Sequence, residues 1–125
     1  MGLLSRILGH ASEADIESVE KTLEHALAED ENVEKAFQLM RDLIIFTNRR
    51  MILVDRQGMT GRKTEFHSVP YRAVTHFLVE SAGTFDMEAE LKIWLSGSPE
   101  PIQKTFSRGQ TIFEVQKALA MYVGR

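Results

Sequence analysis

Two periodicities divide the chain. In ASEADIESVEKTLEHALAED, residues 11–30, Ile16, Val19, Leu23, Ala26 and Leu27 recur at helical spacing, which predicts an amphipathic helix with one apolar stripe. Ser12 followed by Asp15 resembles a capping box, and acids crowd the first turn, where the macrodipole favours them. The helix is expected to end near EDEN, although acids sit unfavourably at a C-terminus. From Val33 the pattern becomes that of strands. EKAFQLM is the first candidate; DLIIFT and RMILVD follow as two near-continuous apolar runs separated only by Thr47, Asn48 and Arg49. So short a connection predicts an antiparallel hairpin, with Asn48 suited to the turn because it tolerates positive φ and bonds nearby backbone.

RQGMTGRK supplies Gly58 and Gly61 for a further turn, TEFHSV is a strand stopped by Pro70, and AVTHFLVE is another. Proline offers no ladder donor, hence the stop. The clearest alternation lies in MEAELKIWL: Met87, Ala89, Leu91, Ile93 and Leu95 share one face, while Asp86, Glu88, Glu90, Lys92 and Trp94 share the other. IQKTFS makes a last strand. From Gln110 the helical period returns, placing Ile112, Val115, Leu119 and Tyr122 or Val123 on one side. The sum is about seven short antiparallel strands between two amphipathic helices. A sheet of that size must curl or split and have an open end or face covered, a task the C-terminal helix can serve.

Composition narrows the chemistry. A chain of 125 residues and 14.2 kDa fits one domain with its own core. It has no cysteine, which excludes disulfides, thiol nucleophiles and Cys-based metal centres and fits a reducing cytoplasm. Its apolar runs fall far short of the roughly 20 residues of a membrane-spanning helix. The opening MGLLSRILGH lacks the features of a signal peptide, and Arg6 stands where a myristoylation signal needs Ser or Thr. Leu3, Leu4, Ile7 and Leu8 group as a short apolar foot, expected to dock on the chain's own fold or on a neighbouring subunit. Net charge is −3, which argues against bulk attraction to nucleic acid. Its distribution is uneven: residues 11–34 hold nine acids against one lysine, whereas residues 41–72 hold seven basic residues against three acids. The two segments are expected to attract each other, within one chain or between copies.

The stretches TNRRMILVD (47–55), VPYRAVTHF (69–77), SAGTFD (81–86) and ELKIW (90–94) together are similar to the bacterial pleckstrin-homology-like family, first grouped as a domain of unknown function. The resemblance implies two nearly orthogonal antiparallel sheets with seven strands in all, capped by the C-terminal helix. Residues 1–31 are then an N-terminal helical segment and residues 33–125 the pleckstrin-homology-like domain. It further implies a stand-alone cytoplasmic protein that builds homo-oligomers, in the form of a closed ring, and it supplies no catalytic motif. Members of the wider fold bind lipids, peptides or proteins, and the fold alone does not choose among these.

Arg49 and Arg50 flank the hairpin turn, but the phosphoinositide sites of the wider fold draw on the first hairpin, where this chain offers only Lys35 and Arg41 with Asp42 against them. Adjacent strand residues also point to opposite faces, so the pair makes no flat fork. Exposed turn or inter-subunit salt bridge is the reading, and Arg62 and Lys63 at the next turn share it. Trp94, a large indole on a nominally wet face, marks a covered surface, under the N-terminal helix or in a subunit interface. Asp86, Glu88 and Glu90 lie ~7 Å apart along their strand, too far to converge on one cation. The histidines at 10, 25, 67 and 76 make no metal pattern, and His76 is expected to be half-buried and hydrogen-bonded. SGSPE is not a nucleophile elbow, and GMTGRKT lacks the spacing of a phosphate-binding loop. The expectation is therefore a non-enzymatic, cofactor-free scaffold or protein-interaction module that pairs with itself and with other proteins. Arg49, Arg50, Arg62, Lys63 and Trp94 are its candidate contacts. The alternative is a binder of anionic lipid or small anions through residues 41–72. Nucleic acid and membrane partners are not expected.

Overall fold

The computed structural model describes residues 16–39, 42–57, 63–81, 88–106 and 112–124. Among them the fold is mainly β: seven antiparallel strands in two sheets, with one helix before and one after them. The Ser12–Asp15 capping box, the apolar foot at 3–8, the Gly58 and Gly61 turn, Arg62 and Asp86 lie outside the described residues. The fold divides into two compact units between Val69 and Pro70.

In the first unit, helix α1 (Ile16–Thr22) precedes a sheet ordered β1 (Val33–Gln38), β2 (Leu43–Thr47), β3 (Arg50–Gln57), β4 (Lys63–Pro70). All five residues of β2 are buried, as a near-continuous apolar run demands when both faces are covered. One face carries Ala36, Leu43, Ile45, Ile52 and Val54, which pack with Val19 and Leu23 of the helical stripe, with Ile16 and Leu27 at the margin. On the opposite face Phe37 meets Phe46 edge to face at 6.1 Å. Leu43 pairs with Val54 and Phe46 with Met51, so β2 and β3 are joined through Asn48 and Arg49 alone.

The N-terminal helix is shorter than its apolar stripe predicts. It ends at Thr22, whose hydroxyl donates to the Ser18 carbonyl at 3.0 Å, and the chain turns through Leu23, with Ala26 N and Leu27 N both donating to the Leu23 carbonyl. Ala26, expected on the apolar stripe, is exposed. Asp30 and Glu31 therefore leave the helix terminus, where they would oppose the dipole, and face cations on β3 and its turn. Glu20 ties the helix to the sheet by accepting the backbone N–H of Val33 at 2.9 Å.

The second unit opens with a single 3₁₀ turn (Tyr71–Ala73), followed by a sheet ordered β5 (Val74–Ser81), β6 (Ala89–Leu95), β7 (Ile102–Phe106), and helix α2 (Ile112–Val123). The alternation read in β6 holds, since Ala89, Leu91 and Ile93 are buried and the intervening residues are half-buried. Helix α2 covers this unit with Ile112, Val115, Ala118, Leu119 and Tyr122, so Tyr122 rather than Val123 completes the stripe. Tyr122 stacks on Tyr71 at 5.2 Å. The β6–β7 turn places Gly97 at φ +83°, a conformation that side-chain-bearing residues adopt at a cost.

Candidate functional site

The doubled arginine folds back on its own chain. Asn48 accepts the Asn32 N–H through Oδ1 at 2.8 Å and donates through Nδ2 to the Asp30 carbonyl at 3.0 Å. No described residue other than glycine has positive φ, so Asn48 serves through its amide and not through left-handed backbone. With the loop held there, Arg49 Nε donates to Asp30 Oδ1 at 2.9 Å and its Nη2 to Oδ2. This pair is exposed. The Arg49 hydrogen bond holds the Asp30 carboxyl below its ordinary range, and Asp30 in turn raises Arg49.

Arg50 makes the buried counterpart. Its Nε reaches Glu31 Oε2 at 2.8 Å and its Nη2 reaches Oε1 at 2.9 Å, a two-point fit of guanidinium to carboxylate. Nη1 also donates to Ser68 Oγ on β4 and Nη2 to the Ala26 carbonyl, both at 2.7 Å. The Glu31 side chain is only 1% exposed and further accepts Ala28 N at 2.9 Å and the Thr47 hydroxyl at 2.6 Å. Burial pushes its carboxyl upward, but the hydrogen bonds from Arg50, Ala28 and Thr47 outweigh it and hold the pKa at about 2. Thr47 Oγ1 also accepts the N–H groups of Arg49 and Arg50. One cluster thus fastens the loop after α1 to the β2–β3 turn and to β4. The attraction between acidic and basic segments acts here within one chain.

The remaining sequence-derived candidates make no part of this cluster. Lys63 is exposed at the start of β4. Trp94 is half-buried on the outer face of the second sheet, directly opposite His76, and the rings stack at 4.4 Å with 14° between planes. His76 itself is exposed, contrary to the half-buried position expected from its apolar neighbours, because β5 presents its alternate residues His76, Leu78 and Glu80 outward. Its Nδ1 lies 3.1 Å from Thr75 Oγ1.

A further feature has little signal in the sequence. A cleft of about 180 Å³ lies between α1 and the sheet, with Val19 and Leu23 above and Leu43, Ile45 and Val54 below. Thr22, Thr64 and Phe66 complete its lining. Phe66 is 51% exposed on β4. Its only sequence signal is a lone phenylalanine among the polar residues of TEFHS. Among the described residues no group of three or more histidine or acidic side chains is placed to hold a metal ion, and no helix is long and apolar enough to cross a membrane.

Comparison with known proteins gives one consistent result. A family model described as "Bacterial PH domain" matches residues 2–123. Uncharacterized protein YjqA of Bacillus subtilis (strain 168) is 50% identical over 121 residues, which span 96% of this chain and 97% of that protein. The crystal structure of a pleckstrin homology domain from Shewanella amazonensis SB2B superposes with a TM-score of 0.86 at 46% identity, covering 98% of each chain. A DUF1696 family protein with a pleckstrin-homology domain from Shewanella loihica PV-4 follows, with a TM-score of 0.77 at 43% identity over 90% of this chain and 96% of that one. The fold is thus pleckstrin-homology-like, as the resemblance of the short stretches implies.

Proposed function

Because the chain belongs to the bacterial PH domain family, we propose that it is a non-catalytic interaction module that assembles with copies of itself, as a closed oligomer that serves as a scaffold. The observation that carries this reading is the state of its sheet edges. Among the described residues β4 borders the first sheet and β5 the second, and these borders carry the half-exposed Phe66 and Leu78. Open edges with apolar side chains need cover, and pairing with like copies supplies it without leaving a free strand.

The anion-binding reading finds less support. Arg49 and Arg50, at the centre of the basic segment, each already hold a carboxylate of the same chain. Light scattering at two protein and two salt concentrations tests assembly directly. A mass several times 14.2 kDa is expected, and a concentration-independent monomer overturns the proposal. Salt-sensitive binding to anionic vesicles that drops on Lys63→Glu would favour the alternative.

A further inference from the structure

We infer that the cleft between α1 and the first sheet is the docking site of the chain's own N-terminal apolar segment, Leu3 to Leu8, which inserts its aliphatic side chains beside Phe66. The contact is internal to one chain, so it goes beyond self-assembly and holds for a monomer and an assembly alike.

The cleft exists because α1 covers only part of its sheet. The helix lies over β1, where Glu20 accepts the Val33 N–H. Beyond the helix the apolar face continues through Leu43, Ile45 and Val54 to Thr64 and Phe66 of β4. Thr64 and Phe66, two apart on one strand, project to the same side, and Phe66 is left 51% exposed. The cleft volume of about 180 Å³ is slightly more than the ~150 Å³ of an apolar protein cavity that takes up benzene. It therefore suits one or two large apolar side chains and is too small for a long acyl chain.

Three properties of the sequence select the occupant. Leu3, Leu4, Ile7 and Leu8 have the spacing of a single helical stripe, so one face can present two side chains at once. Seven residues, Gly9 to Asp15, separate Leu8 from the start of α1 at Ile16. A chain of that length reaches roughly 25 Å, whereas a seven-residue helix is only about 10 Å long. The segment can thus run back along all of α1 to Thr22 and Leu23 at the cleft. Its charge also fits: Arg6 is the charged side chain of the segment, while residues 17–24 carry Glu17, Glu20 and Glu24 against Lys21. Tethering places the segment at an effective concentration on the order of millimolar, so an outside partner that inserts an apolar side chain here must first displace it. The segment covers the face of Phe66 and leaves the backbone border of β4 free.

The absence of cysteine allows a direct test in the full chain. Under mild oxidation Leu4→Cys/Thr64→Cys should close a disulfide within one chain at least about tenfold faster than Leu4→Cys/Glu65→Cys. Thr64 lines the cleft, whereas Glu65, though more exposed, points to the other face of the sheet. Leu4→Asp/Leu8→Asp, which leaves every residue of the cleft intact, should raise the fluorescence of the apolar dye ANS, and adding Thr64→Phe to fill the cleft should abolish the rise. Equal rates at positions 64 and 65, or disulfides that join two chains, overturn the docking of the segment in its own cleft. Dye fluorescence unchanged by Leu4→Asp/Leu8→Asp overturns it as well.

Discussion

Arg50 and Glu31 form a two-point ion pair, Nε to Oε2 at 2.8 Å and Nη2 to Oε1 at 2.9 Å, with the carboxylate side chain 1% exposed and the arginine side chain 25% exposed. Removing one member of a buried pair costs more than the pair is worth, because the survivor stays desolvated without its counter-charge. Arg50→Ala is therefore expected to destabilise the chain by about 3 kcal/mol. Glu31→Ala should cost a similar amount, and the double substitution should cost well below the sum of the two. Urea titration of the four proteins measures the cycle. Arg49→Ala is the internal control: its pair with Asp30 is exposed on both sides, so the midpoint should barely move.

The pH dependence follows from the same carboxylate. Its folded pKa, about 2 against an ordinary 4.5, means that the unfolded chain binds the proton more readily. Stability from Glu31 is thus fully present above pH 4.5 and is lost as the pH falls from there toward 2, with an amplitude on the order of 3 kcal/mol. Asp30 is shifted in the same direction by Arg49, but in an exposed pair that salt screens. Thermal melts between pH 6 and pH 2.5 should show the parent protein losing stability more steeply than Glu31→Gln. Parallel curves would mean that Glu31 is not the group that titrates.

Which parts of this were legible in the sequence depends on the range of the interaction. The alternation of β6 and the stripe of α2 are local periodicities, imposed by one buried side, and both survive folding almost residue for residue. The stripe of α1 persists at Val19 and Leu23, yet the helix ends early at Thr22. Beyond it, Asp30 and Glu31 find stronger partners 19 positions along the chain. Charge asymmetry signalled that attraction without identifying the pairs, since which acid meets which arginine depends on the turn between β2 and β3. The His76–Trp94 stack depends likewise on the β5–β6 register, which includes an irregularity between Val74 and His76. The exposure of Phe66 has no local signal, because that of an edge residue follows from sheet order, which no local pattern encodes.

Asn48 separates a conformational role from a hydrogen-bonding one. A residue chosen for a left-handed turn is replaced by glycine at little cost, since glycine enters that region freely. Asn48 lacks positive φ, while its amide joins both Asn32 N and the Asp30 carbonyl. Asn48→Gly should therefore lose stability, by about 1–2 kcal/mol for two hydrogen bonds and added chain entropy. Asn48→Asp retains the acceptor for Asn32 N but replaces the Nδ2 donor with a second acid beside Asp30, and should be similarly harmful. Raising the salt concentration should recover part of the loss in Asn48→Asp and none in Asn48→Gly, because only the former includes repulsion between exposed charges. Urea midpoints in low and high salt distinguish the two. A Gly variant as stable as the parent would return Asn48 to the role of an ordinary turn residue and leave the Arg50–Glu31 pair as the principal tie between the loop after α1 and the hairpin.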